Sequence, residues 1–238
     1  MLVPPLVRGN VVTRSCSLFA GLFLFAAGIV LLLESDLGLA PWDVLNQGVS
    51  EHTRLTFGLA NVAVAVVVLA VAWALGARVG AGTVANALVI GLMVDGLRFV
   101  DAVDKLSQQP LPARIAMMVA GILTIGVGSG FYMGAGMGAG PRDSLMLVLA
   151  QRTGTRIGVV RAALEIAVTV VGFALGGTVG IGTVAFALGV GPSVELAFWD
   201  TVKESDNPAM YAAYLEQYPE GSFAALAKVR LEELPPAT

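Results

Sequence analysis

Six stretches of the chain are apolar for close to the length of a bilayer crossing. They fall at about residues 15–33, 57–75, 79–99, 114–134, 157–175 and 179–199. About 20 apolar residues in an α-helix cover a hydrocarbon core roughly 30 Å thick. The second and third runs are separated only by Gly76-Ala77-Arg78, the fifth and sixth only by Gly176-Gly177-Thr178. Each pair therefore predicts a tight helical hairpin broken at glycine. Two shorter segments, 41–52 and 141–152, precede the hairpins, and each opens with proline and carries aspartate two positions later. Proline at a first helical position loses no hydrogen bond, and an early carboxylate faces the positive end of the helix dipole, so both segments predict short helices. They are too short to cross a bilayer.

The pattern changes after Asp200. Residues 200–238 are charged and hold no further run. Asn207-Pro208 predicts a helix start, after which Met210, Tyr211, Tyr214, Leu215 and Tyr218 recur at helical spacing. A turn at Pro219-Glu220-Gly221 follows, and Ser222 is expected to cap a second helix carrying Phe223, Leu226, Ala227, Val229, Leu231 and Leu234. The segment predicts a soluble helical hairpin.

Displacing the sequence by 100 residues superposes it on itself without a gap. Pro41-Trp42-Asp43-Val44-Leu45 meets Pro141-Arg142-Asp143-Ser144-Leu145, and Val79-Gly80-Ala81-Gly82-Thr83-Val84-Ala85 meets Val179-Gly180-Ile181-Gly182-Thr183-Val184-Ala185. Arg14, Gly21, Gly28 and Gly58 meet Arg114, Gly121, Gly128 and Gly158. Small-residue matches come cheaply in apolar sequence, but the two longer motifs do not. The expected fold is all-α: a polytopic membrane bundle of about six spans, built as two three-span repeats, with a small soluble hairpin. The parts are an N-terminal segment 1–13, repeats at 14–99 and 114–199 joined by a loop at 100–113, and the hairpin in 200–238. An odd number of crossings per copy sets the second copy upside down, and inverted repeats of this kind recur in secondary transporters. Arg8, Arg14, Arg78, Arg142, Arg152, Arg156 and Lys203 would share one side, against Arg54, Arg98, Lys105 and Arg114 on the other. That bias favours both termini in the cytoplasm.

Composition supports the membrane reading. Hydrophobic residues make up 56% of the chain and charged residues 13%, where a soluble domain carries about 25% charge. The lipid bilayer is the expected partner. The net charge of −3 gives no basic footprint for nucleic acid. One cysteine, Cys16, and one histidine, His52, exclude an intrachain disulfide and argue against a Cys/His metal cluster. No catalytic constellation is visible: Arg152 replaces His52 in the second copy. The expectation is a protein that is not an enzyme, with no catalytic residue, metal or cofactor. Gly136-Met137-Gly138-Ala139-Gly140 follows an apolar span and precedes no Gly-Lys-Ser/Thr, so it is not a nucleotide loop.

Polar residues inside or beside apolar runs are the candidates for function. Asp43, Asp143 and Arg142 open the short helices. If those helices dip into the membrane, their N-termini can meet an anionic group near its centre; lying flat on each surface is the simpler alternative. Arg161 and Glu165 are four apart in the fifth run, and pairing offsets the cost of burying either charge. They read equally as part of a substrate or proton path and as a structural ion pair. Asn61 stands where the second copy has Arg161. Asp95 and Glu195 occupy equivalent positions near the ends of the third and sixth runs. They are candidates for symmetric gates, though their positions suit membrane interfaces. Gly126, Gly130, Gly134 and Gly138 form a ridge for close helix packing.

Leu37-Gly38-Leu39-Ala40-Pro41-Trp42-Asp43-Val44-Leu45, Gly80-Ala81-Gly82-Thr83, Gly138-Ala139-Gly140-Pro141-Arg142-Asp143-Ser144-Leu145-Met146 and Gly180-Ile181-Gly182-Thr183 resemble the YczE/YyaS/YitT group of bacterial integral membrane proteins, most of all its YczE branch. The resemblance covers about residues 14–199. It implies a multi-pass protein of the bacterial inner membrane, some relatives being linked to the regulation or production of secondary metabolites. It offers no ligand residues to carry over. Residues 214–227 look like a degenerate tetratricopeptide-type hairpin. One hairpin cannot build a solenoid, so it would dock on the membrane unit, on a protein partner at 207–234, or on a second copy. Two functions follow: a transporter or channel with its path between the repeats, or a non-transporting regulator or scaffold acting through the hairpin.

Overall fold

The computed structural model describes residues 10–77, 79–100, 103, 105–203, 207–218 and 221–234, without the side chains of 190–198, 200, 201, 209, 213, 216 and 217. Arg8, Arg78, Pro219, Glu220 and the Glu195 side chain therefore lie outside the described part. The first half of the chain holds α1 (Val11–Ser35), α2 (Pro41–His52), α3 (Phe57–Ala74) and α4 (Ala81–Arg98). The second holds α5 (Leu111–Gly134), α6 (Pro141–Thr153), α7 (Ile157–Ala174) and α8 (Ile181–Val202). The tail forms α9 (Pro208–Gln217) and α10 (Ala224–Glu233). Among the described residues α1, α3, α4, α5 and α7 are long and apolar enough to cross a membrane. The sixth apolar run is helical as α8. Large apolar side chains such as Trp73, Val67, Phe173, Val170 and Leu188 face outward, as a lipid-covered surface requires.

α1 and α5 pack along their length at the centre of the bundle. Their backbones approach at glycines. A Cβ on Gly28 would sit 2.8 Å from the Gly121 carbonyl oxygen, and one on Gly128 would sit 2.8 Å from that of Gly21. Between helices in lipid, close van der Waals packing replaces the hydrophobic drive, so such small residues are the means of association. The approach of α1 to α5 thus uses glycines seven apart, Gly21 and Gly28 on one helix and Gly121 and Gly128 on the other.

The contacts between the two halves of the chain come in matched pairs. Arg14 donates from Nε to the Ala135 carbonyl at 2.8 Å and from Nη2 to Gly136 at 2.9 Å. Arg114 does the same to Ser35 at 2.7 Å and Asp36 at 2.8 Å. Each guanidinium satisfies carbonyls that the end of a helix leaves without partners. Gly82 N donates to the Met137 carbonyl and Gly182 N to Leu37, both at 2.8 Å. α2 packs on α7 and α6 on α3. Gly38 and Gly138 turn the chain back towards the short helices with φ of 110° and 125°, a region that glycine alone tolerates there. A side chain at Gly38 would also strike the backbone of Gly180.

The tail folds on its own chain. Trp199, at the end of α8, stacks on Phe223 at 4.9 Å and meets Tyr214 edge-on at 5.2 Å. Tyr211 donates its hydroxyl to the Lys203 carbonyl at 3.0 Å. The second tail helix starts at Ala224 behind Phe223 without a side-chain cap; the expected Ser222 cap is not used, and the Tyr214 hydroxyl accepts from Phe223 N at 3.2 Å instead.

Gly128→Val should cost about 1–3 kcal/mol through overpacking against α1 and lower the Tm in detergent. Gly96→Ala is the control, since nothing lies within 4 Å of a Cβ there; its Tm should stay level or rise. Equal losses in the two variants would show that the α1–α5 contact is not the tight one.

Candidate functional site

The first turns of α2 and α6 meet. Asp43 sits at the third position of α2 with its side chain 2% exposed, and Arg142 at the second position of α6 brings Nη2 to 3.5 Å from Asp43 Oδ1. The Arg142 guanidinium also lies 5.3 Å over the Trp42 ring, a cation–π arrangement. Asn46, one turn along α2, donates from Nδ2 to Asp43 Oδ1 at 3.1 Å. A carboxylate this deep needs a cation and hydrogen bonds to remain charged. Here both come from residues that the repeat does not duplicate: Arg142 stands opposite Trp42, and Asn46 opposite Met146.

Asp143 takes a different partner. Its Oδ2 accepts from the buried Tyr132 hydroxyl at 2.5 Å, in the range of a charge-assisted hydrogen bond. Asn86 of α4 lies beside the same carboxylate where α6 begins. Arg161 and Glu165 form the expected pair on α7, Nε to Oε1 at 2.8 Å, and Asp143 lies within electrostatic range of Arg161. The junction thus brings together Asp43, Arg142 and Asp143, and the Arg161–Glu165 pair lies on α7, the helix on which α2 packs. Asn61 is buried at 3% exposure. Its Nδ2 and the Oδ1 of Asn46 have no hydrogen-bond partner among the described residues, and buried polar atoms in folded proteins nearly always have one.

Asp95 stands apart from the junction. It accepts from Gly58 N at 2.8 Å and from the Thr56 hydroxyl, capping the start of α3. That contact anchors the α3–α4 hairpin, and Glu195 cannot be compared because its side chain is not described. Beyond the C-terminal half of α2 lie two adjoining cavities of about 290 Å³ each. They share Ser50, Phe57 and Arg98, and one of them holds Glu34, paired with Arg98 at 3.5 Å.

Sequence reasoning missed Tyr132 and Asn46. Tyr132 lies inside an apolar run where the first copy has Leu32; that mismatch was its only signal. Asn46 carries a comparable one against Met146.

An all-helical chain with several lipid-length helices and a buried polar junction is a polytopic membrane protein. It belongs to the family of unknown function DUF6198, whose model matches residues 12–198. A Haemophilus influenzae protein described as uncharacterized is 40% identical over 185 residues, 77% of this chain and 82% of that one. The Bacillus subtilis uncharacterized membrane protein YczE is 32% identical over 195 residues, 76% of this chain and 84% of its own. YyaS of the same organism is 26% identical over 165 residues, covering 68% and 81%. These matches bear out the resemblance read from the Pro-x-Asp and glycine motifs. No solved structure matches the chain.

Arg142→Ala leaves the Asp43 carboxylate buried without its cation and should destabilise the protein by about 3–5 kcal/mol. Adding Asp43→Asn should restore much of that loss. Thermal unfolding of the single and double variants checks the coupling; strictly additive losses would mean that the two side chains do not interact.

Proposed function

We propose that the chain is a transporter or channel for a small polar or charged solute in the bacterial inner membrane, with both termini cytoplasmic and its path at the junction of α2 and α6. The observation that carries this is the Asp43–Arg142 contact between the first turns of the two short helices. If the copies are inverted, those helices start from opposite faces, and only by dipping towards the membrane centre do their N-termini meet. Transporters that use broken helices place binding groups at such mid-depth termini. The contacts of Arg14 with the end of α5 mirror those of Arg114 with the end of α1, and Gly82 to Met137 mirrors Gly182 to Leu37; these support the inversion, because reciprocal pairs are what a two-fold relation produces.

The contacts at the junction are polar, which supports a path for a polar solute. Asp43, Asp143, Arg142, Arg161 and Glu165 would face the solute, with the unpaired amide atoms of Asn46 and Asn61 available to it. No step of covalent chemistry is assigned. The regulator reading has less support, because the aromatic face that the hairpin would offer a partner is covered by Trp199.

Purified protein in proteoliposomes should give flux for some member of a panel of amino acids, organic anions, organic cations and inorganic ions. Asp43→Asn and Asp143→Asn should each lower it by at least about tenfold, the effect of weakening one site interaction by roughly 1.4 kcal/mol. Equal flux in wild type and both variants across the panel would remove the basis of the reading.

A further inference from the structure

The α3–α4 and α7–α8 hairpins carry matched glycines, but α7 leaves its glycine unused. Gly58 of α3 and Gly91 of α4 lie so close that a Cβ on either would strike the other's carbonyl oxygen. Their counterparts 100 residues on are Gly158 and Gly191. At Gly158 nothing lies within 4 Å of a Cβ. The difference runs along the helices. α3 buries Phe57, Gly58, Ala60, Asn61, Ala65 and Ala72, whereas of α7 only Gly172 is buried. Ala87 of α4 is 2% exposed, and its counterpart Ala187 of α8 is open. Glycine on a helix in lipid serves close approach by another helix. α7 therefore carries the surface for a contact that it does not make here.

A chemical difference accounts for which hairpin is shut. Positions 61 and 65 are buried in α3, at 3% and 7% exposure, and carry Asn and Ala. The same positions in α7 carry the Arg161–Glu165 ion pair, whose side chains are 35% and 16% exposed. Packing α7 as α3 is packed would bury that pair. Removing two charges from their surroundings often costs more than their attraction returns. We propose that the α7–α8 hairpin has a second, closed state, in which Gly158 meets α8 as Gly58 meets α4, and that the Arg161–Glu165 pair holds it open. A solute that engages either charge would shift the balance, but closure itself does not depend on transport.

Spin-label distances test this in the full-length chain in lipid nanodiscs, with Cys16→Ser removing the native thiol. Leu59→Cys with Leu88→Cys reports on the first hairpin, and Val159→Cys with Leu188→Cys on the second; all four positions are exposed. The first pair should give one distance. The second should give a longer distance and a minor one that matches the first pair. Gly158→Leu fits the open state, where nothing lies within 4 Å, but blocks close approach. It should abolish the minor distance and leave the longer one. Arg161→Asn with Glu165→Ala makes α7 resemble α3 and should raise the closed-to-open ratio by roughly fivefold or more. One long distance in both the wild type and this neutral variant would overturn the proposal, as would a ratio that the neutral variant leaves unchanged. So would a short distance that survives Gly158→Leu. A parallel change in the first pair would do so too, because it would mean general loosening.

Discussion

The glycine-mediated contact of α1 with α5 is the constraint on which the other elements depend. Helices in lipid gain nothing by hiding apolar surface from one another, so association needs backbones that come close. Gly21, Gly28, Gly121 and Gly128 permit this. Once the two long helices are in register, Arg14 reaches the end of α5 and Arg114 the end of α1. Those clamps fix where each long helix stops and its chain turns back at Gly38 or Gly138. The short helices follow from there, α2 onto α7 and α6 onto α3.

The frame is paired, but its chemistry is not. Glycines, the two arginine clamps and both Pro-x-Asp starts are kept in both copies. Inside that frame the polar groups differ position by position: Trp42 against Arg142, Asn46 against Met146, Leu32 against Tyr132, Asn86 against Phe186 and Asn61 against Arg161. The two recurring carboxylates, Asp43 and Asp143, therefore sit in unlike surroundings. Asp43 is held by a guanidinium and an amide, Asp143 by a phenol.

Much of this architecture was legible in the sequence, because helix limits, hairpin turns and short-helix starts are local matters. Pro41 and Pro141 open α2 and α6 as read, and the observed helices depart from the apolar runs by only a few residues. The family was legible too, from motifs that turn out to be the tight turns and helix starts themselves. What stayed hidden was anything set by contacts distant along the chain. Asp95 was legible as an acidic residue near the end of its run, but not as the cap of α3, since its reach to Gly58 depends on how the α3–α4 hairpin closes. Arg142 was a candidate for a polar path from its place at the start of a short helix, but only the meeting of α2 with α6 makes it the partner of Asp43.

The pairing within the junction also sets how strongly anything else can bind there. Asp43, Asp143, Arg142 and Glu165 each already hold a partner tethered to the same chain. An incoming ion cannot simply add its attraction; it must take the place of a neighbour already present. Such an exchange yields only the difference between two similar energies. On the transport proposal, a site of this design would favour modest affinity and rapid turnover of its occupant, with selectivity set by which guest best imitates the side chain it displaces.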